Sequence, residues 1–209
     1  MKTILFQGDS ITDASRERNR DGFNLGYGYP TLVSSYLGIN HPAAYSYVNR
    51  AVSGNRIIDV YARIKQDCIN LPPDFISILI GINDVWHEIS THNGIDADKF
   101  FKLYDLMLDE IAHALPNTPI MILEPFVIPG SATNEAWDTF TAETALRAKA
   151  AREVAAKHGL VFVPLQERFN EALKKAPAEF WALDGVHPNA PGHAIIAEAW
   201  LEGFRKIKL

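Results

Sequence analysis

The sequence predicts an α/β fold: three layers, α/β/α, with a five-stranded parallel sheet in the middle. Three observations carry this. Five short apolar runs alternate with helical patterns along the chain. Each run is bounded by Gly, Pro or Asn, as strands buried on both faces should be. Parallel strands need a crossover between them, and a helical segment follows most runs. With 209 residues, 47% of them hydrophobic and 22% charged, the chain can fill one core, so a single domain over 1–209 is expected.

The first strand is Thr3-Ile4-Leu5-Phe6-Gln7, stopped by Gly8. The others fall at 45–50, 75–80, 120–123 and 161–163. Pro119 precedes the fourth and Pro164 follows the fifth, which suits strand boundaries because proline has no N–H for a ladder. The first helix, 30–37, starts on Pro30 and is expected to stop at Gly38. Residues 57–69 set Ile57, Val60, Tyr61, Ile64 and Cys68 on one face. An amphipathic pattern covers 98–115 and ends before Pro116. The segment 137–158 is rich in Ala, Glu, Lys and Arg and stops at Gly159, and 191–207 forms the last helix. Segments 13–28, 86–96 and 126–135 lack periodicity, and each comes after a strand. Ligands in parallel sheets bind beyond the carboxyl ends of strands, so a pocket is expected at these loops.

The formal net charge of −5 argues against nucleic acid or an anionic membrane as the main partner. No apolar stretch is long enough to span a bilayer, and no stable membrane association is expected. The N-terminal apolar run is too short for a signal peptide and reads as a strand, so a cytoplasmic location is expected. The single cysteine, Cys68, allows no intramolecular disulfide and is expected in the core.

Four short segments fall just after strands or before helices. In Gly8-Asp9-Ser10, the glycine permits a tight exit from the strand, and Ser10 falls at a helical turn with free N–H groups. Asn49-Arg50-Ala51-Val52-Ser53-Gly54-Asn55 follows the second strand, with Gly54 leaving its N–H open to a ligand. Gly81-Ile82-Asn83-Asp84 follows the third strand, and the Asn83 amide can face a developing oxyanion. In Asp184-Gly185-Val186-His187, a three-residue spacing lets the carboxylate meet the imidazole in a compact turn. Alone, each has an ordinary reading: helix cap, turn glycine, Asn-Asp turn, surface histidine. Together they supply nucleophile, base, orienter and oxyanion donors where a parallel sheet gathers them. A serine needs an adjacent base, and a histidine base works best when a carboxylate fixes its tautomer. Asp9 is expected to cap or pin its loop rather than orient the base. His41, His87, His92 and His193 are expected to be structural or exposed, with no zinc spacing among them.

These segments resemble the four signature blocks of the SGNH hydrolases, the flavodoxin-like GDSL esterase/lipase superfamily. Ser10, Gly54, Asn83 and His187 stand at the four name-giving positions and Asp184 at the acid position. Two departures are visible. Ile11 replaces the common leucine, and Ala51 stands where many members carry glycine, so its methyl group is expected to shift the oxyanion loop slightly. The resemblance implies a serine esterase without metal or organic cofactor, with Ser10, His187 and Asp184 catalytic. The N–H groups of Ser10 and Gly54 and the Asn83 amide would form the oxyanion hole.

Longer stretches, including Gly26-Tyr27-Gly28-Tyr29 and Ile82-Asn83-Asp84-Val85-Trp86, look most like the carbohydrate acetylesterase branch, acetylxylan esterases included. The partner expected on that basis is a small ester, an acetylated sugar. Trp86 is a candidate to close an acetyl pocket, and Tyr27, Tyr29 and Trp181 are candidates to stack on a sugar ring. The alternatives are lysophospholipid or acyl-thioester hydrolysis by the same triad and, in a different class, a non-catalytic flavodoxin-like ligand-binding protein. Ile195, Ile196, Trp200 and Phe204 on the last helix are divided between the core and a candidate homo-oligomer contact.

Overall fold

The computed structural model describes residues 1–207, so the last two residues of the expected 1–209 unit lie outside the described residues. Strands β1 (Lys2–Gly8), β2 (Tyr45–Asn49), β3 (Phe75–Leu79), β4 (Ile120–Leu123) and β5 (Val161–Val163) form one parallel sheet in the order β2-β1-β3-β4-β5. The chain moves outward from β1 to β2, then returns past β1 to β3. The order reverses between β1 and β3, and a crevice opens at the carboxyl ends of those strands.

Alternation along the strands builds two cores. Ile4 and Phe6 of β1, Phe75 and Leu79 of β3, and Met121 and Leu123 of β4 pack on one face. There they meet Tyr29, Val33 and Leu37 of α2 (Tyr29–Asn40) and Ile196, Trp200 and Phe204 of α9 (Ala190–Phe204). Three of the four apolar residues singled out on the last helix thus serve the core. Leu5, Ile76, Ile78 and Ile122 face the other way. They pack on Ile57 and Val60 of α3 (Ile57–Ala62), Phe100 and Tyr104 of α5 (Ala97–Ala114), and Ala151 and Val154 of α6 (Trp137–Lys157). Ser77, the polar residue of β3, is fully buried and accepts the Trp200 indole N–H at 2.7 Å, so neither group is left unsatisfied.

The five strands match the sequence expectation to within a residue or two at each end. Three helical expectations need correction. α2 runs through Gly38 and ends at Asn40, because the chain is stopped by His41 before Pro42, where the proline ring disfavours a helical residue. The segment 57–69 is broken after Ala62 and resumes as a π-helical turn at Lys65–Ile69. The wider turn keeps Cys68 in the core while Asp67 meets the Arg63 guanidinium at 2.7 Å. The expected irregular segment 86–96 is largely helical: α4 spans Ile82–Thr91. Three short helices complete the fold: α1 (Ser10–Asp13), α7 (Gln166–Leu173) and α8 (Ala178–Trp181). Cys68 is fully buried and burial pushes its thiol up to about 12, which leaves it protonated and unreactive. No helix among the described residues is long and apolar enough to cross a membrane.

Candidate active site

β1 delivers Ser10 to the crevice. Gly8 has φ +153°, and a Cβ there would sit 2.2 Å from the Leu79 carbonyl of β3, so only glycine fits. The chain then turns directly into α1. Asp9 caps it, with Oδ1 accepting the Ile11 N–H at 3.0 Å, as the sequence suggested. Asp9 Oδ2 is buried without a hydrogen-bond partner among the described residues. Burial pushes this carboxyl up to about 7, against the opposing pull of the Ile11 N–H and of His187.

The Ser10 Oγ lies 2.7 Å from His187 Nε2, across a separation of 177 residues. His187 Nδ1 lies 2.6 Å from Asp184 Oδ2. The other carboxylate oxygen accepts the backbone N–H groups of His187 (2.7 Å) and Val186 (2.9 Å). Burial opposes ionisation of Asp184, but these hydrogen bonds and the imidazole outweigh it and bring its pKa down to about 2. An ionised Asp184 needs a proton from Nδ1, which leaves Nε2 as the acceptor facing the Ser10 hydroxyl. The hydrogen bond to Asp184 raises the His187 pKa, opposed by partial burial. Gly185 makes the turn possible: its φ is +90°, and a Cβ would meet the Ile128 carbonyl at 2.4 Å.

The same cleft, about 440 Å³, is lined by Ser10, Gly54, Asn83, Trp86, Tyr27 and His187. Asn83 stands in the first turn of α4 and donates one amide hydrogen to the Asn55 carbonyl at 3.1 Å. Among the described residues its second amide hydrogen has no acceptor. The Gly54 loop is held from the first loop of the chain. Asp13, almost fully buried, accepts both the N–H (2.9 Å) and the hydroxyl (3.2 Å) of Ser53. Arg16 Nε donates to the Ala51 carbonyl at 2.8 Å. Ala51 itself is fully buried, has no positive φ, and its N–H donates to Asn49 Oδ1 at 3.1 Å.

Trp86 sits 5.9 Å, centroid to centroid, from the His187 ring and is backed edge-on by Phe140. Tyr27 is exposed at the rim, edge-on to His193. Two aromatic expectations are corrected. Tyr29 is fully buried and hydrogen-bonded to Thr12. Trp181 lies outside the Ser10 cleft, in a separate hollow with Phe180 and Ile195, its indole N–H bound to the Ala176 carbonyl. The cleft also contains Ser15, Ser53, His87 and Ser90, which the sequence reading missed. The signal existed: Asn83, Trp86, His87 and Ser90 follow i, i+3, i+4, i+7 spacing, one face of α4. Among the described residues no group of three or more His, Cys, Asp or Glu is arranged to hold a metal ion.

Fold and site together define a class. Residues 6–195 match the GDSL-like lipase/acylhydrolase family model, and the chain belongs to that family, an SGNH-type carboxylic ester hydrolase. Among its relatives, an acetylxylan esterase of Geobacillus stearothermophilus is 33% identical over 215 residues, covering 98% of this chain and 95% of the relative. The crystal structure of that organism's acetylxylan esterase superposes with a TM-score of 0.86 at 31% identity, over 97% of this chain and 93% of the other. An α/β hydrolase enzyme from the metagenome of Lake Arreo, Spain, superposes with a TM-score of 0.88 at 30% identity, over 100% and 97%.

Proposed function

We propose that this esterase removes small acyl groups, acetyl above all, from carbohydrate through a Ser10–His187–Asp184 triad. The observation that carries the reading is the unbroken line of contacts from Ser10 Oγ to His187 Nε2 (2.7 Å) and from His187 Nδ1 to Asp184 (2.6 Å), opening into the cleft that holds Asn83 and Gly54. Ser10 Oγ attacks the ester carbonyl as His187 Nε2 takes its proton. The N–H groups of Ser10 and Gly54 and the free Asn83 amide hydrogen stabilise the oxyanion. His187 then protonates the departing alcohol, leaving an acyl-Ser10. Water attacks that ester with His187 again as base, and the acid leaves as Ser10 regains its proton.

Trp86 beside His187 favours a short acyl group, and the hydroxyl-bearing rim of Ser15, Ser53 and Ser90 suits a polyhydroxylated alcohol. Relatives support the triad. Catalytic mutants of the Geobacillus acetylxylan esterase replace a serine, an aspartate and a histidine by alanine. Two measurements test the proposal. Ser10→Ala is expected to abolish covalent labelling by an active-site phosphonate; stoichiometric labelling of that variant at a single position would assign the nucleophile elsewhere. Rates on p-nitrophenyl esters are expected to fall from acetyl to octanoyl, and acetylated xylooligosaccharides to outrun lysophospholipids. A profile that rises with chain length would replace acetyl by a longer acyl group.

A further inference from the structure

A second cavity, of about 430 Å³, shares no residue with the Ser10 cleft. It lies between the loop after β4 and helices α6 and α7, and its wall is mostly apolar: Val127, Pro129, Trp137, Ala148 and Leu173. One buried charged group lines it. Glu124 is 8% exposed, and its Oε2 accepts the N–H groups of Leu165 (2.7 Å) and Gln166 (2.9 Å). Among the described residues, Oε1 accepts no hydrogen bond; Arg152 approaches it at 3.5 Å. Thr144, 2% exposed in the same wall, has its Oγ1 buried without a hydrogen-bond partner among the described residues. The other neighbouring polar groups are committed. Gln166 holds both the N–H and the carbonyl of Val127, and Thr141 donates to the Trp137 carbonyl. Lys149 lies 3.7 Å from Glu153.

A carboxylate oxygen held only by the 3.5 Å ion pair with Arg152, and the partnerless Thr144 hydroxyl beside it, leave room for a polar group that can both donate and accept. A cationic donor would meet Arg152 and Lys149 at the edge, and an anionic ligand would meet Glu124. A neutral hydroxyl on an apolar body avoids both conflicts, and the volume lies in the range of small-molecule sites. We propose that this cavity binds a small neutral alcohol or phenol, its hydroxyl donating to Glu124 Oε1 and its apolar body packed against Trp137 and Leu173. The site is independent of the ester-hydrolysis reading and uses none of its residues.

The test is equilibrium dialysis of the whole protein with 2-naphthol, and with the charged probes 2-naphthoate and 2-naphthylmethylammonium. Expected is one saturable site for 2-naphthol with a dissociation constant below about 1 mM, and at least tenfold weaker binding of both charged probes. Phosphonate labelling of Ser10 should leave it unchanged. Ala148→Trp and Ala145→Trp, the latter on the exposed side of the cavity, should each weaken it at least tenfold while p-nitrophenyl acetate turnover persists. Should Ala148→Trp fail to fold, the Ala145→Trp result decides. The proposal is overturned by no saturation up to the solubility limit, by equal binding of the three probes, by loss on Ser10 labelling, or by undiminished binding in a folded Trp variant.

Discussion

Asn83 and Asp184 make the smallest tests of the site. The Asn83 amide keeps one hydrogen on the Asn55 carbonyl, and in the proposed mechanism the other meets the oxyanion. Asn83→Ala is expected to cost about 10²–10³ in turnover, roughly 3–4 kcal/mol, with the protein still labelled by phosphonate. A variant of unchanged turnover would remove Asn83 from the oxyanion hole. As the proposed base His187 must be neutral to act, and Asp184 raises its pKa. The rate therefore falls as pH drops through a value above the ordinary imidazole pKa of about 6.5. In Asp184→Asn the inflection should move to lower pH, because the anion that stabilises imidazolium is gone, while turnover drops steeply. An inflection that stays in place in pH-rate profiles would mean that Asp184 does not face the ring. At this scale the sequence disclosed the groups with special chemistry. Ser10, Asp184 and His187 stood out because each sits in a short Gly-containing turn. Ser15, Ser53 and Ser90 did not, because a serine in a loop carries no signal until neighbouring loops are folded around it.

Elements position these groups, and the tie between the first loop and the loop after β2 is the most exposed to test. Asp13 at the end of α1 holds Ser53 through two contacts, beside Gly54. Asp13→Asn keeps the volume but removes the negative charge from Oδ2, the one oxygen that Ser53 and Arg18 share, and weakens the grip on Ser53. Turnover should fall on the order of 10²-fold with KM little changed, since misplacing oxyanion donors harms the transition state more than the bound ester. A rise in KM at constant turnover would show that this loop only binds. Strands were legible because burial on both faces makes them apolar throughout, as in β4, or nearly so, as in β3 with its lone Ser77. α4 was not, because it begins in the Gly81-Ile82-Asn83-Asp84 turn and carries polar residues on the face that lines the cleft. A helix that serves a site breaks the apolar rhythm by which helices are found. The break at Ala62 was equally hidden: it depends on Arg63 reaching Asn55, Arg50 and Asp67, contacts that no local pattern encodes.

For the molecule as a whole, pH acts through buried groups that the triad does not use. His193 of α9 is 2% exposed, and its Nδ1 accepts the Tyr29 N–H at 3.3 Å. Burial lowers its pKa to about 4. A depressed histidine favours the folded state fully above its unfolded pKa, near 6.5, and that share is lost as pH falls through about 4. The share is on the order of 3 kcal/mol. Asp9, raised to about 7, works in the opposite sense, favouring the fold as pH falls from 7 towards 4. Urea denaturation of wild type and His193→Gln at pH 7 and pH 5 should show the variant gaining on wild type at the lower pH. Parallel losses would mean that His193 titrates alike in both states. The sheet order, too, was visible only in part. Alternation predicted a parallel sheet, but the reversal between β1 and β3 rests on long-range pairing that a linear pattern does not record. That reversal and the 177-residue span between nucleophile and base have a bearing on biosynthesis. The serine leaves the ribosome 177 residues ahead of its imidazole. A nascent chain that stops short of His187 carries a mute hydroxyl, and Ser10 gains its imidazole only once the far end of that span has been made and folded.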